Sequence, residues 1–179
     1  SDPLAQALFL NAFPERGVSI EGDSLVFSGS IKTTTLARFI DTLEQNPNIR
    51  RITLLSVPGS IDDSISLMLG RYIHENGYHT HLTKKSEIAS GGVHIFLAGE
   101  TRTMEKGARI GVHSWVTTDG THANKLHPKH PYHKEYTKYY NNIGIGKDFY
   151  FFSIYSASPE EIYWLTDEDI ERFKLINGE

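Results

Sequence analysis

The sequence predicts one α/β domain in which helices flank a mostly parallel sheet. Short runs of β-favouring residues alternate with longer stretches whose apolar residues recur at helical spacing, and turn-forming residues separate the two. With 179 residues, 39% of them hydrophobic, the chain suits one sizeable core and is too short for two ordinary domains. We therefore expect a single domain over residues 17–179, preceded by an N-terminal arm of residues 1–16 that Pro14 interrupts.

The elements follow one another as strand, turn and helix. Gly22 lies in a hairpin turn, Asn46-Pro47 stops the first helix, and Gly99 follows the third. Threonines can cap the start of the first helix. The predicted elements are, in chain order, strands at 18–20 and 25–27, a helix at 33–44, a strand at 51–57, a helix at 61–73, a strand at 78–82, a helix at 90–98, strands at 101–104 and 109–113, and helices at 131–143, 147–157 and 159–173.

Composition removes several classes of function. The formal charge is −4, from 18 Lys and Arg against 22 Asp and Glu, so the chain lacks the basic excess that nucleic acids or anionic membranes select. It contains no cysteine, which excludes disulfides, thiolate nucleophiles and cysteine-bound zinc. No apolar run approaches the roughly 20 residues that span a bilayer. The start, Ser1-Asp2-Pro3, does not read as a signal peptide, although a leader removed earlier is compatible with it.

The first candidate site is the turn Pro58-Gly59-Ser60, where an apolar strand meets the start of a helix. Main-chain N–H groups at such a position lack intrahelical partners, and Gly59 has no Cβ to keep a substrate carbonyl away. The arrangement is typical of an oxyanion hole built from the main chain. An ordinary turn that needs glycine only for its dihedral freedom fits the same residues.

The second candidate is Ser90, which small residues surround at the predicted start of a helix: Ala89, Gly91 and Gly92. A nucleophile there gains from the helix dipole as negative charge develops, and Gly91 can offer an N–H to the same oxyanion. Serine is also a common helix N-cap, and that structural role is the alternative for Ser90.

The third candidate is His113, which ends a short β-like run at residues 110–112. A strand end holds an imidazole rigidly, and a pKa of about 6.5 suits a base that works at neutral pH. Histidines in half-buried strands more often have structural roles. The order of the three motifs along the chain therefore indicates function more strongly than any one of them.

This order resembles the proteolytic subunit of Clp proteases and, more closely, a group of exported bacterial Clp-like proteins. In the Clp subunit a strand ends in Pro-Gly-Gly, the nucleophilic serine lies in Ala-Ser-x-Gly before a helix rich in leucine and alanine, and the base ends a short apolar segment. The likeness is good over residues 50–115 and looser at residues 159–166. The counterparts here are Pro58-Gly59-Ser60, Ala89-Ser90-Gly91-Gly92 with Phe96-Leu97-Ala98-Gly99, and Gly111-Val112-His113.

The resemblance implies a ClpP/crotonase-like spiral of ββα units and a serine hydrolase, with a peptidase as the expected kind. It makes Ser90 the nucleophile, His113 the base, and Gly59 and Gly91 the oxyanion donors, with Ser60 beside them. It also implies peptide or protein substrates, assembly into homo-oligomers and, from the exported group, a bacterial exported or periplasmic location, with a cytoplasmic one left open. We expect no cofactor and no metal, and the sequence shows no docking feature for a partner ATPase.

Two positions depart from the Clp pattern. The second glycine of the first turn is Ser60, and the residue that should orient the histidine aligns with Ile162, beside Glu161. We expect Glu161 to be the third catalytic residue, and Asp148, Glu160 and a dyad with a main-chain orienter are the alternatives. Favourable charge in the first turn of a helix explains the two glutamates equally well.

Two other functions stay open at this point. The same fold supports crotonase-like acyl-CoA enzymes, in which two N–H groups stabilise a thioester enolate. An inactive Clp-like scaffold that assembles or binds peptides is the third hypothesis.

Two further stretches of unusual composition carry no catalytic prediction. Four histidines lie between His122 and His133, but the stretch has no acidic ligand and no helical HExxH pattern, so we expect a solvated loop over the site rather than a metal. The resemblance to the Clp subunit implies that the aromatic-rich stretch from Tyr132 to Tyr155 forms an oligomer interface, and the alternative is that these rings seal the core.

Overall fold

A computed structural model describes residues 17–179, and the arm predicted for residues 1–16 lies outside them. The strands are β1 Gly17–Glu21, β2 Ser24–Ser28, β3 Arg51–Val57, β4 His79–Ala89, β5 Arg102–Met104, β6 Arg109–Val112 and β7 Tyr163–Trp164. The α-helices are α1 Thr33–Gln45, α2 Asp63–Glu75, α3 Gly91–Leu97, α4 Lys134–Asn142, α5 Lys147–Ser156 and α6 Asp167–Arg172, with short 3₁₀ turns at Ala123–Lys125 and Pro131–His133.

The seven strands form one mostly parallel sheet. β1 and β2 pair antiparallel with Glu21 opposite Ser24, which is the predicted hairpin. β2, β3, β4 and β6 then run parallel to one another in that order, and β5 pairs in parallel with the first part of β4. β7 closes the β6 edge in the antiparallel sense. The alternation of strand and helix in the sequence therefore predicted the sheet correctly.

β4 is longer than the predicted strand at 78–82 because it contains a bulge. Its pairing with β3 skips residues 83–86. The Ser86 hydroxyl fills the gap, donating to the Leu54 carbonyl at 2.5 Å and accepting from the Thr83 N–H at 2.8 Å. The bulged strand continues to Ala89 and so delivers the chain directly to the predicted nucleophile.

Helices cover the sheet and close the core. α2 packs between α1 and α3, and α3 lies against β3, β4 and β6. Phe27 meets Phe39 edge to face at 5.3 Å, and both rings are buried at the base of this layer. No helix among residues 17–179 is long and apolar enough to cross a membrane.

Most of the aromatic-rich stretch lies in the core, so the expected oligomer interface is wrong for these rings. α4 and α5 fold back on each other and bury their aromatic faces between them. Tyr132 and Tyr155 stay about half exposed, at 55% and 51%. The buried rings are Tyr136, Tyr139, Tyr140, Phe149 and Tyr150.

The predicted helix at 159–173 is wrong in its first half. Residues 159–160 form a turn, β7 pairs with β6, and the chain becomes helical only at α6. Gly111 explains the difference, because Ile162 and Trp164 pack directly over its missing Cβ and hold this segment against β6. Thr166 then caps α6 by accepting the Asp169 N–H at 3.1 Å.

Candidate active site

Three parallel strands bring the predicted motifs to one edge of the sheet. β3, β4 and β6 are neighbours, and Ala89 at the end of β4 lies beside Gly111 of β6. The residues that follow these strands are the turn at 58–60, Ser90 and His113. Open α/β sheets bind their ligands at the carboxyl ends of the strands. Topology alone therefore groups the three motifs.

Ser90 occupies a sharp turn between β4 and α3. Its φ of 52° and ψ of −120° lie in a region that residues with a Cβ rarely adopt, at a cost of about 1–3 kcal/mol. Its hydroxyl makes no capping hydrogen bond to α3, so the N-cap alternative does not account for this serine. A strand, a strained serine and a helix form the elbow that exposes the nucleophile in other hydrolases.

The turn at 58–60 contacts the start of α3. A Cβ on Gly91 would lie 3.0 Å from the main-chain nitrogen of Ser60. On the other side of the turn, the Ile31 N–H donates to the Gly59 carbonyl at 2.8 Å. The Ile61 N–H donates to the Ile31 carbonyl at 3.1 Å. Of the main-chain atoms of this turn, the Ser60 nitrogen is the one that comes within 3.0 Å of the Cβ position of Gly91. The Ser60 nitrogen thus lies beside Gly91, and the Gly59 carbonyl pairs with Ile31.

The main chain orients the His113 ring. Nδ1 lies 2.8 Å from the Ser114 carbonyl oxygen, and since a carbonyl can only accept, Nδ1 carries the proton of the neutral ring and Nε2 keeps its lone pair. Ser114 is fully buried, and its N–H donates to the Ala157 carbonyl at 2.9 Å. A main-chain carbonyl, and not an acidic side chain, therefore orients Nδ1 of His113.

Ser90 and His113 line the same small cavity, whose volume is about 30 Å³. Stacked rings form one wall, with Tyr136 lying 5.6 Å from Trp115 and 5.2 Å from Tyr150 between ring centroids. Such walls exclude bulk water and strengthen electrostatic interactions inside the cavity. The lining residues are Asp63, Ser90, Val93, His94, Val112, His113, Trp115, Tyr136, Tyr140, Tyr150, Ser153 and Ile154.

Asp63, which the sequence analysis did not single out, brings a carboxylate to this cavity. The Tyr136 hydroxyl donates to its Oδ2 at 2.6 Å, and the Ser60 hydroxyl donates to its Oδ1 at 3.2 Å. Desolvation raises the pKa of the Asp63 carboxyl, whereas the charge of His94 when it is protonated and the two hydroxyl donors lower it, and the pKa lies below its ordinary value. Desolvation and the Asp63 charge raise the pKa of Tyr136. An ionised carboxylate therefore ties α4 to α2.

His94 is a second histidine in the cavity that the sequence analysis missed. It lies one turn after Ser90 on α3, is 7% exposed, and places Nδ1 2.9 Å from the Ser66 hydroxyl. Burial lowers the pKa of its ring, and Asp63 acts in the opposite direction. The i, i+4 spacing was a usable signal, because a helix that starts after Ser90 puts both side chains on one face.

The structure does not bring Glu161 to the cavity. Glu160 and Glu161 are exposed on a turn, outside any helix, and Asp148 is exposed at the start of α5. Ile162, the position aligned with the orienting residue, packs over Gly111 instead. The prediction of Glu161 as third catalytic residue therefore finds no support in the geometry, because β7 pairs with β6 and this segment lies along the sheet.

The histidines from His122 to His133 do not converge. His133 is buried with its Nδ1 2.6 Å from the Tyr150 hydroxyl, which also accepts the Trp115 indole N–H at 3.0 Å. The His127 and His130 rings accept N–H groups of their own loop. Within residues 17–179 no group of three or more histidine or acidic side chains is arranged to hold a metal ion.

The sequence matches no protein-family model and no curated protein. Solved structures do share its fold. A variant of the membrane-bound stomatin-specific protease 1510-N in complex with a substrate peptide superposes with a TM-score of 0.60 at 18% identity, covering 87% of this chain and 72% of that one. The catalytic domain of the ClpP protease from Plasmodium falciparum gives 0.58 at 14% identity, covering 86% and 82%.

Crotonase-type enzymes are similar to a comparable degree. An enoyl-CoA hydratase from Bacillus anthracis superposes with a TM-score of 0.53 at 13% identity, covering 90% of this chain and 69% of that one. The chain therefore has the ClpP/crotonase-like fold, with a mostly parallel sheet flanked by helices, as predicted. Because this fold serves both proteases and acyl-CoA enzymes, the residues at the cavity must discriminate between them.

Proposed function

We propose that this protein is a serine hydrolase that cleaves peptide bonds through a Ser90–His113 dyad. The observation that carries the proposal is the strained elbow at Ser90, which places an uncapped serine in the same cavity as His113. A strained residue at a cavity is a recognised mark of a functional site. The fold shared with the stomatin-specific protease and ClpP supports the proposal without deciding it.

The Ser114 carbonyl gives His113 the tautomer that a general base needs. With Nδ1 donating to that carbonyl, Nε2 can take the proton of the Ser90 hydroxyl as Oγ bonds to the substrate carbonyl carbon. The protonated ring then gives the proton to the leaving amine as the peptide bond breaks. Water later attacks the acyl-enzyme with His113 again taking the proton.

Main-chain N–H groups stabilise the oxyanion in this proposal. Gly91 is the first residue of α3, so its N–H has no intrahelical acceptor, and the Ser60 N–H comes from the adjoining turn. The absence of a Cβ at Gly91 is needed because such an atom would lie 2.6 Å from the Ser60 hydroxyl. Loss of one such donor in other hydrolases costs about 10²–10³ in rate.

A fluorophosphonate probe tests the nucleophile directly, because Ser90 Oγ would displace fluoride and remain phosphonylated. We expect the purified wild-type protein to gain one probe mass, with the label on the peptide that contains Ser90. Ser90→Ala should show no label, and Ser19→Ala, which removes an exposed hydroxyl on β1, should label like the wild type. Equal labelling of Ser90→Ala and wild type would remove Ser90 from the mechanism.

A crotonase-like acyl-CoA activity is the competing function, since enoyl-CoA hydratases share the fold. The elbow at Ser90 and the oriented His113 favour covalent acyl transfer, because stabilising a thioester enolate requires neither. Calorimetric titration with butyryl-CoA separates the two functions. We expect no binding heat at millimolar ligand, and saturable binding that Ser90→Ala leaves intact would favour the crotonase function.

Substrate, assembly and location complete the proposal. Peptide or protein substrates follow from the resemblance to Clp-like proteins, and the half-exposed Tyr132 and Tyr155 are the aromatic side chains left for contacts between subunits. Export is proposed from the resemblance to the exported bacterial group. Sedimentation analysis of the purified chain tests assembly, and recovery of the native protein in a periplasmic extract tests export.

A further inference from the structure

His94 lines the cavity, and the dyad mechanism does not use its ring. The ring lines the cavity together with Ser90 and His113, and within residues 17–179 its hydrogen bonds involve Nδ1 and not Nε2. Tyr139 holds the helix here, donating its hydroxyl to the His94 carbonyl at 2.6 Å. The ring is therefore fixed in position by contacts on its Nδ1 side and on its main chain.

The hydrogen bonds around Ser66 bear on which nitrogen of His94 carries the proton. The Ser66 hydroxyl has one proton and lies 3.0 Å from the Asp63 carbonyl, which can only accept. The Ser60 hydroxyl, 3.3 Å away, has its own acceptor in the Asp63 carboxylate. With the Ser66 proton on the Asp63 carbonyl, Ser66 accepts from the Nδ1–H of His94, and the lone pair of the neutral ring is then on Nε2.

The cavity has the size and polarity to hold water. A volume of about 30 Å³ exceeds the roughly 10–15 Å³ that one water needs. Its polar lining includes Ser90, His94, His113 and Ser153, and the last already donates to the Phe149 carbonyl at 2.8 Å. A water bonded to two or more of these groups is stable by the ordinary criteria for buried water.

We propose that His94 holds the hydrolytic water that releases the acyl group from Ser90. The inference rests on the proposed function and deepens it. One O–H of the water donates to Nε2 of His94, which turns the oxygen lone pair towards the acyl carbon. The oxygen bonds to that carbon as His113 Nε2 takes the other proton, the bond from carbon to Ser90 Oγ then breaks, and His113 returns the proton to Oγ.

Substitution by asparagine and by glutamine separates the two nitrogens of His94. In His94→Asn the amide N–H can still donate to Ser66, while nothing replaces Nε2. In His94→Gln the longer side chain can put its amide oxygen near the place of Nε2. We expect His94→Asn to slow release of an acetyl group from Ser90 by about tenfold, the effect of one lost hydrogen bond, and His94→Gln to recover part of the rate.

The experiment measures acylation and deacylation separately with p-nitrophenyl acetate. The burst of nitrophenol gives the acylation rate, and decay of the acetylated mass after gel filtration gives deacylation. His94→Asn should acylate within about twofold of wild type and accumulate acetyl-enzyme. A purely structural role would slow both steps together and lower the melting temperature, and that result overturns the inference.

The two proposals fail in different ways. If wild-type Ser90 accepts neither acetyl group nor fluorophosphonate, the proposed function fails and this inference falls with it. If Ser90 is acetylated and His94→Asn releases the group at the wild-type rate, only the role of His94 is overturned.

Discussion

At the residue scale, the unusual backbone of Ser90 is the feature on which the chemistry depends. A positive φ at a residue with a Cβ is unfavourable, and the packing of β4 and α3 must maintain it. In this conformation the Ser90 Oγ makes no capping hydrogen bond to the start of α3. The His113 ring, by contrast, is oriented by a hydrogen bond to the main-chain carbonyl of the next residue, Ser114.

His113 is the proposed base, and Glu161 is the acid that the sequence predicted. Substituting each should affect the labelling of Ser90 differently. We expect His113→Ala to slow fluorophosphonate labelling of Ser90 by about 10²–10⁴-fold, the usual contribution of a general base. Glu161→Gln should label within about twofold of wild type, because this side chain is exposed away from the cavity. Time-resolved intact mass measures both, and a large loss in Glu161→Gln would restore the triad hypothesis.

His94 should make folding stability depend on pH. Because burial holds the folded pKa of His94 below its ordinary 6.5, the unfolded chain takes up a proton near that pH that the folded chain does not. The free energy of unfolding should therefore fall as the pH drops below about 6.5, by up to about 1.4 kcal/mol per pH unit for this one proton.

The comparison with His94→Asn isolates that effect. His133, whose folded pKa burial also lowers, remains in both proteins, and Asp63 contributes only in the acid range because its pKa is depressed. Urea unfolding between pH 7 and 5 should show a shallower pH dependence for His94→Asn. Equal slopes for the two proteins would mean that His94 is protonated in the folded state.

At the scale of the elements, close packing between α2 and α4 sets the cavity wall. Gly70 of α2 leaves room for the Tyr139 hydroxyl, and a Cβ there would overlap it. Asp63 at the start of α2 receives the Tyr136 hydroxyl from α4, so two contacts hold the helices together. Neither contact joins residues near in sequence.

Gly70→Ala should therefore destabilise the fold despite the better helix propensity of alanine. We expect a loss of about 1–3 kcal/mol in the free energy of unfolding, because the new methyl group must displace Tyr139 and with it the hydroxyl bonded to His94. Met68→Ala, on the exposed face of the same helix, is the matched control and should change stability little. Unchanged urea unfolding of Gly70→Ala would contradict this packing.

The elements that the sequence predicted are those with a local signal. The hairpin at Gly22, the helix that ends before Asn46 and the order of strand and helix around Ser90 depend on residues close in the chain. Asp63 gave no local signal, because its partner Tyr136 comes from an element that only the fold brings near. His94 was marked only by its i, i+4 spacing from Ser90, and its partner Ser66 lies on another helix. The stretch around Glu161 carried helical composition, and pairing with β6 overrode it.

At the scale of the whole molecule, Arg102 fastens the end of the chain to the sheet. Its buried guanidinium donates to the carbonyls of Leu175 (2.6 Å), Gly99 (3.0 Å) and Lys174 (3.1 Å). Its own carbonyl accepts the Asn177 N–H at 3.1 Å. Burial lowers the pKa of Arg102, and the three acceptors replace the water that it loses.

Arg102→Ala should release this terminal segment. We expect a loss of about 3 kcal/mol in unfolding free energy, the range for buried hydrogen bonds to a charged group, with faster amide hydrogen exchange at residues 174–178. Arg51→Ala, an exposed arginine at the start of β3, serves as the control. Exchange that stays slow in Arg102→Ala would show that other contacts hold the segment.

The central claim is that two distant turns of the chain surround one carbonyl group. A crystal structure of the protein inhibited by a peptidyl phosphonate tests it most directly, because the phosphonyl oxygen occupies the place of the oxyanion. The account predicts phosphorus bonded to Ser90 Oγ, that oxygen within about 3.1 Å of the Ser60 and Gly91 nitrogens, and His113 Nε2 beside Oγ. A phosphonyl oxygen directed to solvent, or phosphorus bonded to another residue, would contradict it.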